Sequence, residues 1–242
     1  MAMNTGERDF FEQNGYLIVR QAVTGGELRQ LTSELLDYQS AIESGRYRGN
    51  HLFENEQLAR VAFNPYDFCP ALRQLVGRKD MLGRARGILG SGVRLDHSKL
   101  MCKPAGSGTP QPPHQDYYYW QGSKSNQVAV FVCIDPSTEA NGCLRVYPGS
   151  HKNGLLEHRE EHHQLTGERH WVCKVTPEIE GTETTFIGEP GDAIFFGSLT
   201  VHRSDGNGSD RHRRAVIFEY DEKGNLPPRP GWGTPIPDAE WD

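Results

Sequence analysis

The sequence has little that would suit a membrane, a nucleic acid or an oxidising compartment. Its longest apolar runs, such as Val128–Ile134, fall far short of the roughly 20 residues a bilayer span requires. The opening Met1–Asp9 lacks the apolar core of a secretory signal, so no leader is expected. Positive charge is scarce: 26 Lys and Arg stand against 32 Asp and Glu, a formal charge of −6, where a nucleic-acid partner would want a basic face. Cysteine is sparse and odd in number, five residues at 69, 102, 133, 143 and 173, with no C-x-x-C pair. Cys102, Cys133 and Cys173 sit in apolar, strand-like runs, where a reduced thiol acts as a small hydrophobe. That usage argues for a reducing, cytoplasmic setting and against a thiolate metal site. Internal repeats and low-complexity tracts are absent as well.

What is present reads as one turn-rich globular domain over residues 1–242, with 36% hydrophobic and 24% charged residues, 27 Gly and 15 Pro. Residues 1–92 read as mostly helical. Arg8–Asn14 is a short amphipathic piece, followed by a strand at Gly15–Arg20. Thr24 is placed to cap a helix through Glu43, with Leu28, Leu31, Leu35 and Tyr38 on one face. Pro70–Val76 and Lys79–Leu89 read as further helices, the latter stopped by Gly90. From Val93 the pattern turns to short β-rich runs: Val93–Lys103, Gln127–Ile134, Cys143–Tyr147, Trp171–Val175, Thr184–Ile187, Ala193–Phe196 and Ala215–Tyr220. Turn signals such as Asn141-Gly142, Pro148-Gly149 and Pro190-Gly191-Asp192 separate them. The expectation is a mainly β fold with N-terminal helices: a jelly-roll core over 93–222 and an extended, proline-rich tail over 223–242.

Three signals carry chemistry. The first is His114-Gln115-Asp116; on a strand, residues i and i+2 share a face, so both could reach one ion. The second is Gly191–Phe196, a loop, and then His202, a turn and strand that would bring the chain back to the same sheet mouth. Two imidazoles and one carboxylate leave half of an ion's coordination sphere open, as non-haem iron(II) oxygenases need. The third is Arg213, eleven residues after His202, whose planar fork suits the far carboxylate of a dicarboxylic co-substrate, with Ser204 as a nearby hydroxyl donor.

Along nearly the whole chain these pieces resemble the phytanoyl-CoA dioxygenase family of iron(II)/2-oxoglutarate oxygenases. The resemblance is carried by Phe10–Val19, by Lys103-Pro104 with His114-Gln115-Asp116, by Asn141–Lys152, and by Pro190-Gly191-Asp192 with His202-Arg203-Ser204 and Arg213. It implies a double-stranded β-helix (cupin-like jelly roll), iron(II), 2-oxoglutarate and O2, with ascorbate as a stimulant. By position it implies iron ligation by His114, Asp116 and His202, and co-substrate contacts from Arg213, Ser204, Gln111, Lys99 and Phe131. Asp116 stands where related halogenases carry Ala or Gly, which favours hydroxylation or another oxidation. The implied substrate is a small metabolite or biosynthetic intermediate, and the chain is expected as a monomer or homodimer. His151 reads as a turn residue. Tyr117-Tyr118-Tyr119-Trp120 would turn some rings to the mouth by strand alternation, and His51 with Arg46–Arg48 would form a solvated polar loop.

Two other classes compete. His158-Arg159-Glu160-Glu161-His162 fits H-x-x-E-H, a zinc-hydrolase pattern that needs a helix and a third ligand; His163 and His170 lie in the same charged insertion. The remaining reading is a non-catalytic cupin-like binding protein that retains the metal residues.

Overall fold

The computed structural model describes residues 3–49, 51–55, 57–90, 92–120, 124–162, 169–225 and 240–241. Helix α1 (Thr5–Asn14) begins a turn earlier than its apolar pattern suggests, because Asn4 and Glu7 form a capping box; Gly15 closes it in the left-handed region. Strand β1 (Tyr16–Val19) follows, then α2 (Gly25–Glu43). Thr24 holds the N-cap position of α2, but its side chain makes no capping hydrogen bond. Leu31, Leu35 and Tyr38 of α2 are buried as their spacing predicts. Strands β2 (Leu52–Phe53) and β3 (Ala59–Phe63) come before α3 (Pro70–Val76) and α4 (Lys79–Leu89). These two strands fall in a stretch expected to be helix and loop. They form because β3 pairs along the edge of the next strand, β4 (Val93–Lys103), with Val61 opposite Met101 and Phe63 opposite Lys99.

Past β4 the chain runs through β5 (Gln111–His114), α5 (Asp116–Trp120), β6 (Gln127–Cys133), β7 (Leu144–Val146), β8 (His158–His162) and β9 (Arg169–Cys173). It continues with α6 (Pro177–Glu180), β10 (Thr184–Phe186), β11 (Ala193–Gly197), β12 (His202–Ser204), β13 (Arg213–Glu222) and β14 (Glu240–Trp241). The larger sheet runs β1-β11-β6-β13-β4-β3-β2, with β14 also on β4; the smaller runs β10-β7-β12-β5; β8 and β9 form a separate hairpin ladder. All the pairings are antiparallel. This is the double-stranded β-helix, a mainly β jelly roll with helices packed outside it. Most of the tail expected from residue 223 lies outside the described residues; at Glu240–Trp241 the chain pairs with Arg94 and Val93.

The larger sheet is apolar on both faces because each face has a cover. Val130, Val132, Phe195, Val216 and Phe218 pack with Leu31, Leu35, Leu72, Leu75 and Met81 of the helices. Their alternating neighbours Ala129, Phe131, Ile194, Phe196, Ala215 and Ile217 face Leu144, Val146 and Phe186 of the smaller sheet. That is why β6 reads as an unbroken apolar run instead of an alternating one. Two glycines are required by the turns between strands. Gly142 has φ +74, and a Cβ there would strike the Asp205 carbonyl; Gly191 has φ +89, and a Cβ there would strike the Val23 carbonyl. Beside Gly191, Asp192 accepts hydrogen bonds from Arg20 Nη1 at 2.7 Å and the Gln21 amide at 2.8 Å, which ties β1 to the start of β11.

Candidate active site

The strand-to-helix corner after β5 sets the first part of the site. His114 is the last residue of β5 and Asp116 the first of α5, so the two do not share one strand as their spacing suggested. Gln115 between them makes the corner. It is fully buried, donates through Nε2 to the Gly154 and Leu199 carbonyls at 2.8 and 2.7 Å, and accepts from the Leu156 amide at 2.8 Å. With Gln115 pinned outward, its two neighbours turn inward together. The Tyr117 amide donates to the Ser198 carbonyl at 3.0 Å and fixes the start of α5. On the smaller sheet β12 lies beside β5, with His202 opposite His114 and Ser204 opposite Gln111. Ser150 Oγ accepts from the Val201 amide at 2.9 Å and holds the entry to β12.

These three side chains converge. One ligand atom from each of His114, Asp116 and His202 lies within 4.8 Å of the others, and all three residues are buried. Each imidazole sits 3.7 Å from Asp116 Oδ1 through its Nε2. Each Nδ1 faces a backbone carbonyl, Pro112 for His114 at 2.9 Å and Thr200 for His202 at 3.0 Å. A carbonyl only accepts, so both Nδ1 atoms carry the proton and both Nε2 lone pairs face the common point. Burial, then the neighbouring His202, pushes His114 down to about 3, which keeps it neutral. Burial raises Asp116, but His202, Lys99, His114 and His97 outweigh it, and its carboxyl lies below the usual carboxylate range. Two imidazoles presenting Nε2 and a carboxylate at this spacing suit a divalent ion of about 2.1 Å bond length. Among the described residues no other His, Cys, Asp and Glu group is placed to hold an ion.

The three line a cavity of about 200 Å³ between the sheets, and Arg213, Ser204, Gln111, Lys99 and Phe131 line it too. Arg213 is 3% exposed. Its Nε has no hydrogen-bond partner among the described residues. Its guanidinium stands 5.5 Å from the Phe131 ring centroid. Burial pushes it below the usual arginine range. The next residue, Arg214, points out of the sandwich and pairs with Asp135 through Nε at 2.7 Å; this fixes the alternation that sends Arg213 inward.

Sequence reasoning passed over several cavity residues. Lys103, opposite Arg213 in the sheet, is 5% exposed and donates to the Thr109 carbonyl at 2.5 Å. Burial, with Arg213 beside it, lowers its ammonium well below the usual range. The alternation of Lys99, Met101 and Lys103 along β4 is the signal that would have found it. Arg60, Arg169 and His170 also line the cavity.

Other expectations divide. Tyr117–Trp120 is helical, so strand alternation does not apply; Tyr119 reaches the cavity, whereas Tyr118 stacks on His158 at 4.2 Å. His151 lies in a short turn with Nε2 on the Glu12 carbonyl at 3.1 Å. His51 Nδ1 accepts from the Phe63 amide at 3.2 Å. The H-x-x-E-H segment is a strand, β8, and not the helix that a zinc peptidase needs. His158 is satisfied within the protein: Nδ1 faces the Leu156 carbonyl at 2.9 Å and Nε2 accepts from the Gln115 amide at 3.2 Å. His163 lies outside the described residues. All five cysteines are free and buried, and no described helix is long and apolar enough to cross a membrane.

The chain is 26% identical to a probable phytanoyl-CoA dioxygenase of Caenorhabditis elegans, over 90% of this chain and 75% of that one. It is 29% identical to the L-proline trans-4-hydroxylase of Streptomyces griseoviridis, over 74% of this chain and 73% of that one. The crystal structure of EctD from S. alaskensis with 2-oxoglutarate and 5-hydroxyectoine superposes with a TM-score of 0.79 at 21% identity, covering 97% of this chain and 86% of EctD. The sequence model of the family described as Phytanoyl-CoA dioxygenase (PhyH) matches residues 11–215, and the chain belongs to that family.

Proposed function

We infer that the protein is an iron(II)- and 2-oxoglutarate-dependent dioxygenase that oxidises a C–H bond of a small metabolite or biosynthetic intermediate, with release of succinate and CO2. The observation that carries this reading is the pairing of two features in one cavity. A convergent His114–Asp116–His202 group faces it, and so does the buried guanidinium of Arg213, which has no anionic partner among the described residues. A buried charge without a partner is costly, so its retention argues for an anion that arrives with function. It also argues against a binding protein that merely keeps the metal residues.

His114 and His202 would hold iron through Nε2 and Asp116 through its carboxylate. When bound, the iron supplies the redox chemistry that reduces dioxygen as 2-oxoglutarate is oxidised. Arg213 pairs with the distal carboxylate of 2-oxoglutarate through its fork, and the Phe131 ring beside the guanidinium keeps the fork in place. Ser204 and Gln111, opposite one another on neighbouring strands, add polar contacts, and Lys103 adds a second cation at the same end. Leu144, Phe196 and Ile217 on the walls keep water from the reacting region. A volume of about 200 Å³, shared with the co-substrate, leaves room only for a small substrate or the reactive end of a larger one. The five free, buried cysteines suit a reducing, cytoplasmic compartment.

The reading is tested by following 2-oxoglutarate conversion to succinate over a metabolite library, with iron(II) and ascorbate supplied. Iron-dependent succinate release that rises with particular metabolites supports it. Absence of iron-dependent release, or a zinc-dependent hydrolysis lost in His158→Ala, contradicts it.

A further inference from the structure

The cavity wall carries cations at two separate levels. On β4, Lys103, Met101 and Lys99 point inward in turn; their partners on β13 are Arg213, Ala215 and Ile217. The first level is therefore Lys103 with Arg213, the next is apolar, and the third is Lys99 flanked by Ile217 and Phe63. Four residues of strand separate the Cα atoms of Lys103 and Lys99 by about 13 Å. The two ammonium groups also lean apart. Lys103 Nζ is held by the Thr109 carbonyl, whereas Lys99 Nζ lies 3.6 Å from Glu219, one level further from Arg213. Four C–C bonds of roughly 1.5 Å make a five-carbon diacid about 6 Å long at most, well short of the strand spacing between the two levels. Once Arg213 holds one end of the co-substrate, Lys99 has a different task.

The charges around Lys99 point to that task. Asp116 is the one carboxylate that lines the cavity among the described residues. Apart from Lys103 and Arg213, the other wall cations have carboxylate partners: Arg203 has Glu183 at 2.6 Å and Asp205 at 2.5 Å, Arg60 has Glu54 at 3.5 Å, and Arg169 has Glu160 at 4.0 Å. Lys99 must share Glu219 with His97, whose Nε2 is 3.4 Å from the same oxygen. Phe63 and Ile217, the strand partners of Lys99, line the cavity with Met101.

We propose that Lys99 anchors a carboxylate of the primary substrate, with the substrate's apolar chain lying along Phe63, Met101 and Ile217. The proposal rests on the oxygenase reading and adds the substrate class, a small organic acid. An ammonium on a flexible stem is a point charge suited to one such anion at the edge of an apolar slot. Lys99 thus becomes a specificity-determining residue, and Lys103 and Arg213 stay with the co-substrate.

The test uses butyrate and its uncharged isostere butyramide as probes. Their affinities for the anaerobic iron(II)·2-oxoglutarate complex are measured by calorimetry, for the unmodified protein, Lys99→Met and Lys99→Arg. Because Lys99→Met leaves Glu219 buried without its cation, Lys99→Met/Glu219→Gln is included to keep the pair neutral. Butyrate is expected to bind saturably and more tightly than butyramide. It should weaken roughly 10- to 100-fold in both Met-containing variants and recover in Lys99→Arg. Equal butyrate affinity with and without Lys99, no preference over butyramide, or competition between butyrate and 2-oxoglutarate overturns the proposal. So does a parallel loss of 2-oxoglutarate affinity in Lys99→Met, which would put Lys99 on the co-substrate. Failure of the unmodified protein to bind 2-oxoglutarate with iron is a separate result, and it contradicts the oxygenase reading itself.

Discussion

Replacing Arg213 by Met separates what the residue does for folding from what it does for function. Arg213 is 3% exposed, lacks a hydrogen-bond partner at Nε and has Lys103 as its neighbour across the sheet. Removing an unpaired buried ion relieves several kcal/mol of desolvation, of which the lost contact with the Phe131 ring returns about 1 kcal/mol. The ligand-free variant should therefore melt at or above the temperature of the unmodified protein. Ligand response should move the other way. At a concentration 100 times its dissociation constant, 2-oxoglutarate adds about 2.7 kcal/mol, or roughly 5–10 °C in a chain of this length. Two charge-assisted hydrogen bonds from one guanidinium are together worth about 3 kcal/mol, a weakening of roughly 150-fold. At the same concentration the variant should shift by only about 1 °C. Differential scanning fluorimetry with iron(II) or an inert divalent substitute, with and without 2-oxoglutarate, reads both effects. A variant that melts several degrees lower without ligand and keeps the full shift would refute the reasoning.

Two further perturbations follow from the same geometry. Gln115→Ala removes three buried hydrogen bonds at the corner between two proposed ligands, so iron affinity, measured by anaerobic titration, should fall about 10- to 100-fold although Gln115 faces away from the ion; unaltered affinity would mean that the corner holds without it. Glu219 is pushed up to about 7, chiefly by burial, so the folded state holds its proton more tightly than the unfolded state does. The stability it lends is complete below about pH 4.5 and is lost as pH rises towards 7. In the iron-free protein, Glu219→Gln should gain on the unmodified chain between pH 5 and pH 8, on the order of 1–3 kcal/mol, as read by denaturant melts; a difference that does not vary with pH would contradict the assignment.

The sequence was most legible where local chemistry repeats. Val93–Lys103 and Lys79–Leu89 appear with the bounds their patterns predict, because the flanking Gly92 and Pro104 and the glycine stop at Gly90 are local signals. The larger sheet's central strands could be read as apolar runs because they are covered on both faces. Strands β2 and β3 were not legible, since Ala59-Arg60-Val61-Ala62-Phe63 becomes a strand only by pairing with the edge of β4. The same limit applies at the site. Two-residue spacing put His114 and Asp116 side by side, where the structure has them, but gave the wrong cause: a buried glutamine turns a strand into a helix between them. Lys103 was overlooked because a lysine at a strand end resembles a solvated one, and only the sheet register brings it against Arg213. The histidines at 158 and 162 show the converse, a motif that matches in letters and fails in backbone conformation.

The most direct measurement is the stoichiometry and affinity of iron(II) in the purified chain under nitrogen, for the unmodified protein and for His114→Ala, Asp116→Ala, His202→Ala and His158→Ala. One tightly bound ion per chain is expected, lost or greatly weakened in the first three variants and retained in the fourth. Iron binding that survives the loss of His202, or depends on His158, would contradict the account.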